Sequence, residues 1–239
     1  YGLEDFCNQT EALERIYTLS TVQYQADYSW PTNCIKIKRI EATKGNSAYD
    51  LYNEDLGEHF TGIVKTTSSP PCAANIFADR IRLRERPSAS AASTTLNGTI
   101  TASATSITLT DSSSFPRMGR LLIDSEVIEY WNNSSNVLSP CTRGVEGTTA
   151  SAHTTGGTVT NRDVWVYSIS RNGDISSDST SPEIPTQFHP ALAHYMAWMG
   201  RQKSKDWDLA GQNKAIYDNY ILQGLDYAKF KWKKKYTPK

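Results

Sequence analysis

The 239-residue chain has no C-x-x-C pair, no G-x-S-x-G elbow, no H-E-x-x-H, no P-loop and no dinucleotide-binding fingerprint. Its four cysteines, Cys7, Cys34, Cys72 and Cys141, lie far apart, which excludes a zinc ribbon and a thioredoxin-like motif. No basic-then-apolar leader precedes them, so free thiols in a reducing cytoplasm are expected, with two disulfides as the arithmetical alternative. No apolar run approaches the ~18 residues of a membrane span. Net charge is absent too: Lys plus Arg is 25 and Asp plus Glu is 25, which argues against a general polyanion binder. Histidine is scarce. His59 and His153 stand alone, and His189 and His194, five apart across a helix start, do not share a face as metal ligands would. No metal, cofactor or catalytic residue is therefore expected. A bulky Tyr1 is a poor substrate for removal of an initiator Met, so residues preceding it are expected.

Lysine is missing altogether from residues 88 to 160, where Ser and Thr make up 27 of 73 positions and three Arg face five acids. The rest is rich in Lys and Tyr, and this contrast marks a domain boundary. Residues 100–103 and 106–110 alternate with β-branched side chains. Residues 121–123 and 126–130 predict two strands about a tight Asp124-Ser125 turn, and Val137-Leu138 begins another. Residues 115–119, 143–148 and 155–157 read as turns and corners. The stretch 88–161 is thus expected to be a small all-β module inserted into a parent domain made of 1–87 plus 162–239.

Flanking it, 80–84 and 163–169 read as strands that become consecutive in the parent fold and are expected to pair. Residues 34–40 and 48–52 predict further strands of that small sheet. Leu13, Ile16 and Tyr17, spaced i, i+3, i+4 behind Thr10, predict an early helix. Near the end, Pro190 suits a first helical position, with Leu192, Tyr195, Met196 and Met199 as the apolar face. Asp206 can cap a second helix carrying Tyr217, Tyr220, Ile221, Gly224, Leu225 and Ala228 on one face. The pair should form an antiparallel hairpin. The expected class is α+β: an N-terminal helix and a C-terminal hairpin with a small antiparallel sheet and an inserted all-β module.

Three features invite a functional reading. Arg80, Arg82 and Arg84 line one strand face and suit a polyanion such as DNA, or a solvated, salt-bridged surface. Glu126 and Glu129 could serve a glycosidase, but three apart on a strand they face opposite ways and read as solvated strand edges. The end of the chain holds six lysines and no acid in its last eleven residues: Lys229, Phe230, Lys231, Trp232, Lys233, Lys234, Lys235 and Tyr236, then 237–239. Its aromatics want a partner, a neighbouring subunit, another protein's groove or nucleic acid, the bland reading being a frayed solubilising tail.

The residues Ile184, Pro185, Phe188, His189, Ala191, Leu192 and Tyr195 resemble the I-P-x-x-[YF]-H-x-A-L-x-x-Y segment of tailed-bacteriophage head-to-tail adaptor (connector) proteins. Ile81, Leu83 and Pro87 are similar to that family's I-x-L-x-P-x-P strand. Residues 164–185, with the polar loop 174–181, and 206–220 resemble its strand, loop and last helix. The segment from Phe115-Pro116 through Arg143, Gly144, Gly147, Thr148, Ala150 and His153 resembles a small β domain of phage virion proteins, with an R-G-x-x-G-T-x-A-x-x-H signature. Together these cover about 150 of the 239 residues, and 45–75 match neither.

The resemblance implies a non-enzymatic virion protein at the head-tail junction, assembled in the host cytoplasm. It implies a homo-oligomeric ring, usually a dodecamer, that docks under the portal, extends the DNA ejection channel, lets double-stranded DNA pass without reading it, and offers the viral tail or neck a docking face. The portal-binding segment implied by position is 229–239. A second reading is a tail-associated glycan-binding or host-attachment protein using the β module; a third is a cell-wall hydrolase.

Overall fold

A computed structural model of the protein describes residues 2–53, 67–68, 71, 73–77, 79–171 and 181–235; the side chains of 52–53, 67–68 and 230–235 are not included. His59, Cys72, most of the 174–181 loop and Tyr236 lie outside the described residues. The class is α+β, with three α-helices and several small sheets among the described residues. The chain divides into two compact units: 1–15 with 32–36 and 168–239, and 16–31 with 37–167.

The first unit is helical. Helix α1 (Gly2–Thr10) ends where Glu11 adopts φ 51° and its N–H donates to Cys7 O at 3.1 Å. The helix predicted from Leu13, Ile16 and Tyr17 does not form; Glu14–Leu19 is a strand. The left-handed turn at Glu11 breaks the helix, and the β-branched Ile16 and Thr18 favour a pleated backbone beyond it. Helix α2 (His189–Lys203) starts with Pro190 in its first turn. Lys205 (φ 61°) turns the chain, Asp206 Oδ1 accepts the Leu209 N–H at 3.4 Å, and α3 runs Trp207–Lys235. The predicted tail is therefore helical through Lys235.

The core of this unit is aromatic. Phe6, Cys7, Ala12, Ile184, Phe188, Ala191, Tyr217 and Ile221 are buried together. Phe6 and Phe188 ring centroids lie 5.3 Å apart, Tyr195 and Tyr217 5.2 Å. A Cβ on Gly224 would meet Thr10 Cγ2 at 2.6 Å, so glycine is what lets α3 approach α1. Met196 and Met199 do not join this face; both are exposed, because α2 buries Ala191 and packs Leu192 and Tyr195 against the core instead.

The second unit is all β. Most of one sheet lies in it, ordered Glu14–Leu19, Val164–Ser170, Cys34–Lys44, Ser47–Asp50. A second is ordered Asp27–Ser29, Arg80–Leu83, Ala73–Ile76, Tyr52–Asn53. Arg80–Leu83 and Val164–Ser170 thus belong to different sheets and do not pair as expected. Arg80–Leu83 instead forms a hairpin with the nearby Ala73–Ile76, a short connection that closes at less entropic cost than a long one, while Val164–Ser170 lies between Glu14–Leu19 and Cys34–Lys44.

Within 88–161 a five-stranded sheet has the order Ser93–Thr95, Thr158–Asn161, Gly119–Ile123, Glu126–Tyr130, Cys141–Val145, accompanied by a three-stranded one. The predicted hairpin is present, with Ile123 opposite Glu126, Leu121 opposite Ile128, and Asp124 at φ 52° in the turn. Residues 100–103 form no strand; only Ile100 bridges to His153. Arg143 to Val145, expected as a corner, ends a strand. A dedicated core, Leu96, Ile107, Leu109, Leu121, Ile123, Ile128, Tyr130, Leu138 and Val159 among others, lies wholly inside this stretch. The aliphatic side chains of this stretch thus gather in one interior.

Candidate functional site

Two arrangements of polar side chains stand out in the second unit. The first surrounds Glu126, whose residue is 0% exposed. Arg143 donates from Nε to Oε1 and from a terminal nitrogen to Oε2, both at 2.8 Å. The N–H groups of Gly144 (3.0 Å) and Ser151 (3.1 Å) also donate to this carboxylate. His153 Nε2 lies 2.8 Å from Oε2, and its Nδ1 lies 2.8 Å from Asp124 Oδ2. Burial pushes the Glu126 carboxyl up, but the Arg143, His153, Ser151 and Gly144 donors outweigh it and hold the pKa at about 2.

This cluster accounts for the R-G-x-x-G-T-x-A-x-x-H spacing. Arg143 neutralises one buried carboxylate, and His153 lies within hydrogen-bond distance of it. Gly144 sits at φ 62°, with room for no Cβ: one would meet Thr148 O at 2.9 Å and Ala150 N at 3.0 Å. Thr148 Oγ1 accepts the Val127 N–H and donates to Val145 O. Glu126 is thus no solvated strand edge and His153 no surface histidine. Glu126 is wholly buried and enclosed by these donors. Sequence reasoning missed this pairing because alternation places a side chain on a face but does not say what lies beneath it. Glu129 is likewise engaged, accepting from Arg120 Nε and a terminal nitrogen at 3.1 and 3.0 Å, while Arg120 reaches Glu146 at 3.1 Å.

The second arrangement is an open cleft of about 430 Å³. Trp165 and Tyr167, two apart on Val164–Ser170, contribute one wall, while Val164 and Val166 alternate into the core. Trp131, just past Glu126–Tyr130, and Met118 contribute another; they are 52% and 58% exposed. Polar groups come from Glu41, Asn46, Arg117 and Glu129. The Tyr167 hydroxyl donates to Glu41 Oε2 at 2.7 Å, and burial with that acceptor pushes its pKa up to about 12. The guanidinium of Arg39 lies 4.4 Å over the Tyr167 ring and that of Arg120 5.0 Å over Trp165. The Arg117 N–H donates to Asn46 Oδ1 at 2.6 Å, which orients the amide. The V-W-V-Y alternation was the sequence signal for this wall.

Of the residues singled out from sequence, Arg80 and Arg82 lie on Arg80–Leu83 with Ile81 and Leu83 buried behind them, and Arg84 is exposed just beyond. Arg82 donates to both Asp27 oxygens, at 2.7 and 2.8 Å, and Arg80 pairs with Asp79 at 3.0 Å. Lys229 is exposed on α3, and the helical backbone continues through Lys231, Lys233, Lys234 and Lys235. His194 Nδ1 lies 3.1 Å from Asn213 Oδ1, and His189 Nε2 3.0 Å from Ile184 O, which ties the start of α2 to the segment before it. Among the described residues no group of three or more His, Cys, Asp or Glu could hold a metal ion, and no helix is long and apolar enough to cross a membrane. No protein-family model, curated protein or solved structure matches this chain.

Proposed function

We propose that the chain is a structural subunit of a tailed-bacteriophage virion, a head-to-tail adaptor that assembles with copies of itself into a ring under the portal. The observation that carries this reading is the α2–α3 hairpin. Its adaptor-like residues Ile184, Phe188 and Ala191 are buried, which leaves them a packing role. Yet Met196, Met199, Trp207, Leu209, Ile216 and Leu222 remain exposed on the same two helices. In this reading those exposed apolar side chains are covered by another surface. A ring of identical subunits supplies that contact from the neighbouring copy.

The basic end of the chain, Lys229, Phe230, Lys231, Trp232, Lys233, Lys234, Lys235 and Tyr236, is the portal-binding element in this reading. Lysines favour a helix C-terminus, and repetition around a ring turns a weak contact into avidity. Arg80, Arg82 and Arg84 are the groups proposed to face the passing DNA, and a downstream tail or neck protein docks on the opposite face. The role needs no cofactor and no reaction.

Deleting 229–239 is the test. The shortened chain should still form rings by electron microscopy, fail to bind portal, and leave heads without tails. A full-length chain that stays monomeric with portal present would overturn the reading.

A further inference from the structure

The Trp131 cleft has no part in that assembly, and its chemistry is that of a ligand site. Its volume falls in the range of about 300–1,000 Å³ typical of small-molecule pockets. Two large apolar side chains, Trp131 and Met118, stay in water at its edge, while Trp165 and Tyr167 are fixed by packing and by stacked guanidinium groups. The platform is therefore preorganised. Its carboxylates are already neutralised: Glu41 pairs with Arg39 at 2.8 Å, and Glu129 with Arg120 at 3.0 Å. Neither a metal ion nor a cationic peptide finds uncompensated charge here. A phosphorylated ligand would face Arg117 across two carboxylates. A purely apolar ligand would bury Asn46, Arg117, Glu41 and Glu129 without returning the hydrogen bonds that water gives them. A flat apolar face rimmed by hydroxyl groups meets both demands.

We infer that this cleft binds a neutral saccharide, with Trp131 as the stacking platform and Asn46 and Arg117 as groups that recognise hydroxyls. Asn46 spends its Oδ1 on the Arg117 N–H and keeps its NH2 donors for the ligand. Because residues 41–48 and 165–167 supply walls of the cleft, the stretch 88–161 holds only part of the site. The isolated module should bind far less well than the whole chain. The site stands independently of the ring reading.

The test titrates the full-length chain with three neutral trisaccharides, chitotriose, cellotriose and maltotriose, following tryptophan fluorescence and ligand-observed NMR. At least one should bind saturably in the micromolar to millimolar range. Trp131→Ala should weaken it by about tenfold or more without lowering the melting temperature, since that side chain is half exposed. Asn46→Ala should also weaken it, with the same trisaccharide still ranked first. No saturable binding by any of the three, or binding that survives Trp131→Ala, overturns the inference. So does a Trp131→Ala chain whose only change is a smaller association state, which would make the cleft an interface between copies.

Discussion

The β stretch 88–161 and the helical hairpin solve the problem of apolar surface in opposite ways. The β stretch gathers its aliphatics into one interior, and its two large exposed apolar side chains, Met118 and Trp131, both line one cleft. The hairpin buries a narrow aromatic seam and leaves six large apolar side chains exposed along α2 and α3. A stretch with its own core needs neutralisation of whatever charge it buries, and the Glu126 cluster provides it. The hairpin leaves apolar side chains uncovered. In the proposed reading the first carries stability and the second assembly.

That contrast can be broken most sharply at Glu126. Glu126→Ala leaves Arg143 buried without its counter-charge and should cost about 3–5 kcal/mol in urea denaturation. The same carboxylate sets an acid limit. Its folded pKa, about 2, lies below the ordinary 4.5, so its contribution is fully present above pH 4.5 and is lost as pH falls toward 2. Stability of the wild-type chain and Glu126→Gln should therefore differ most at neutral pH and converge at the acid end of that window. A gap independent of pH would show that the charge is not what matters.

Glycine substitutions probe each region separately. Gly144→Ala forces a left-handed residue with a Cβ against Thr148 O and Ala150 N, and Gly224→Ala drives a Cβ into Thr10. Each should cost about 1–3 kcal/mol by chemical denaturation, the first through the β core and the second through the helical one. Last comes the exposed hairpin surface. Met196→Glu with Leu222→Glu, at positions 66% and 62% exposed, should shift stability by no more than about 0.5 kcal/mol. Sedimentation should nonetheless show loss of self-association. If instead the pair unfolds the chain, the hairpin is not the uncovered surface described here.

The parts readable from sequence were those governed by short-range periodicity. The 119–130 hairpin, the α3 face through Tyr217, Ile221 and Gly224, and the Asp206 cap depend on residues a few positions apart. Where the nearest neighbours competed, the pattern misled. Leu13, Ile16 and Tyr17 fit a helical spacing, yet after the turn at Glu11 sheet pairing took Ile16 and Tyr17 into the strand Glu14–Leu19. Met196 and Met199 fit the α2 stripe, yet Ala191 and Tyr195 meet the core because Phe6, Phe188 and Tyr217 stand on that side.

The chain alone determined its α+β class, the Ser/Thr-rich composition of 88–161 and the basic character of its end, since composition and periodicity act residue by residue. Only the tertiary structure decided that Glu126, Arg143 and His153 meet, that Arg82 spends its fork on Asp27, and that Trp131 shares a cleft with Trp165. Those meetings join residues from 17 to 55 positions apart or from strands of separate sheets, and such neighbours are set by how strands pair and pack, which no local spacing records.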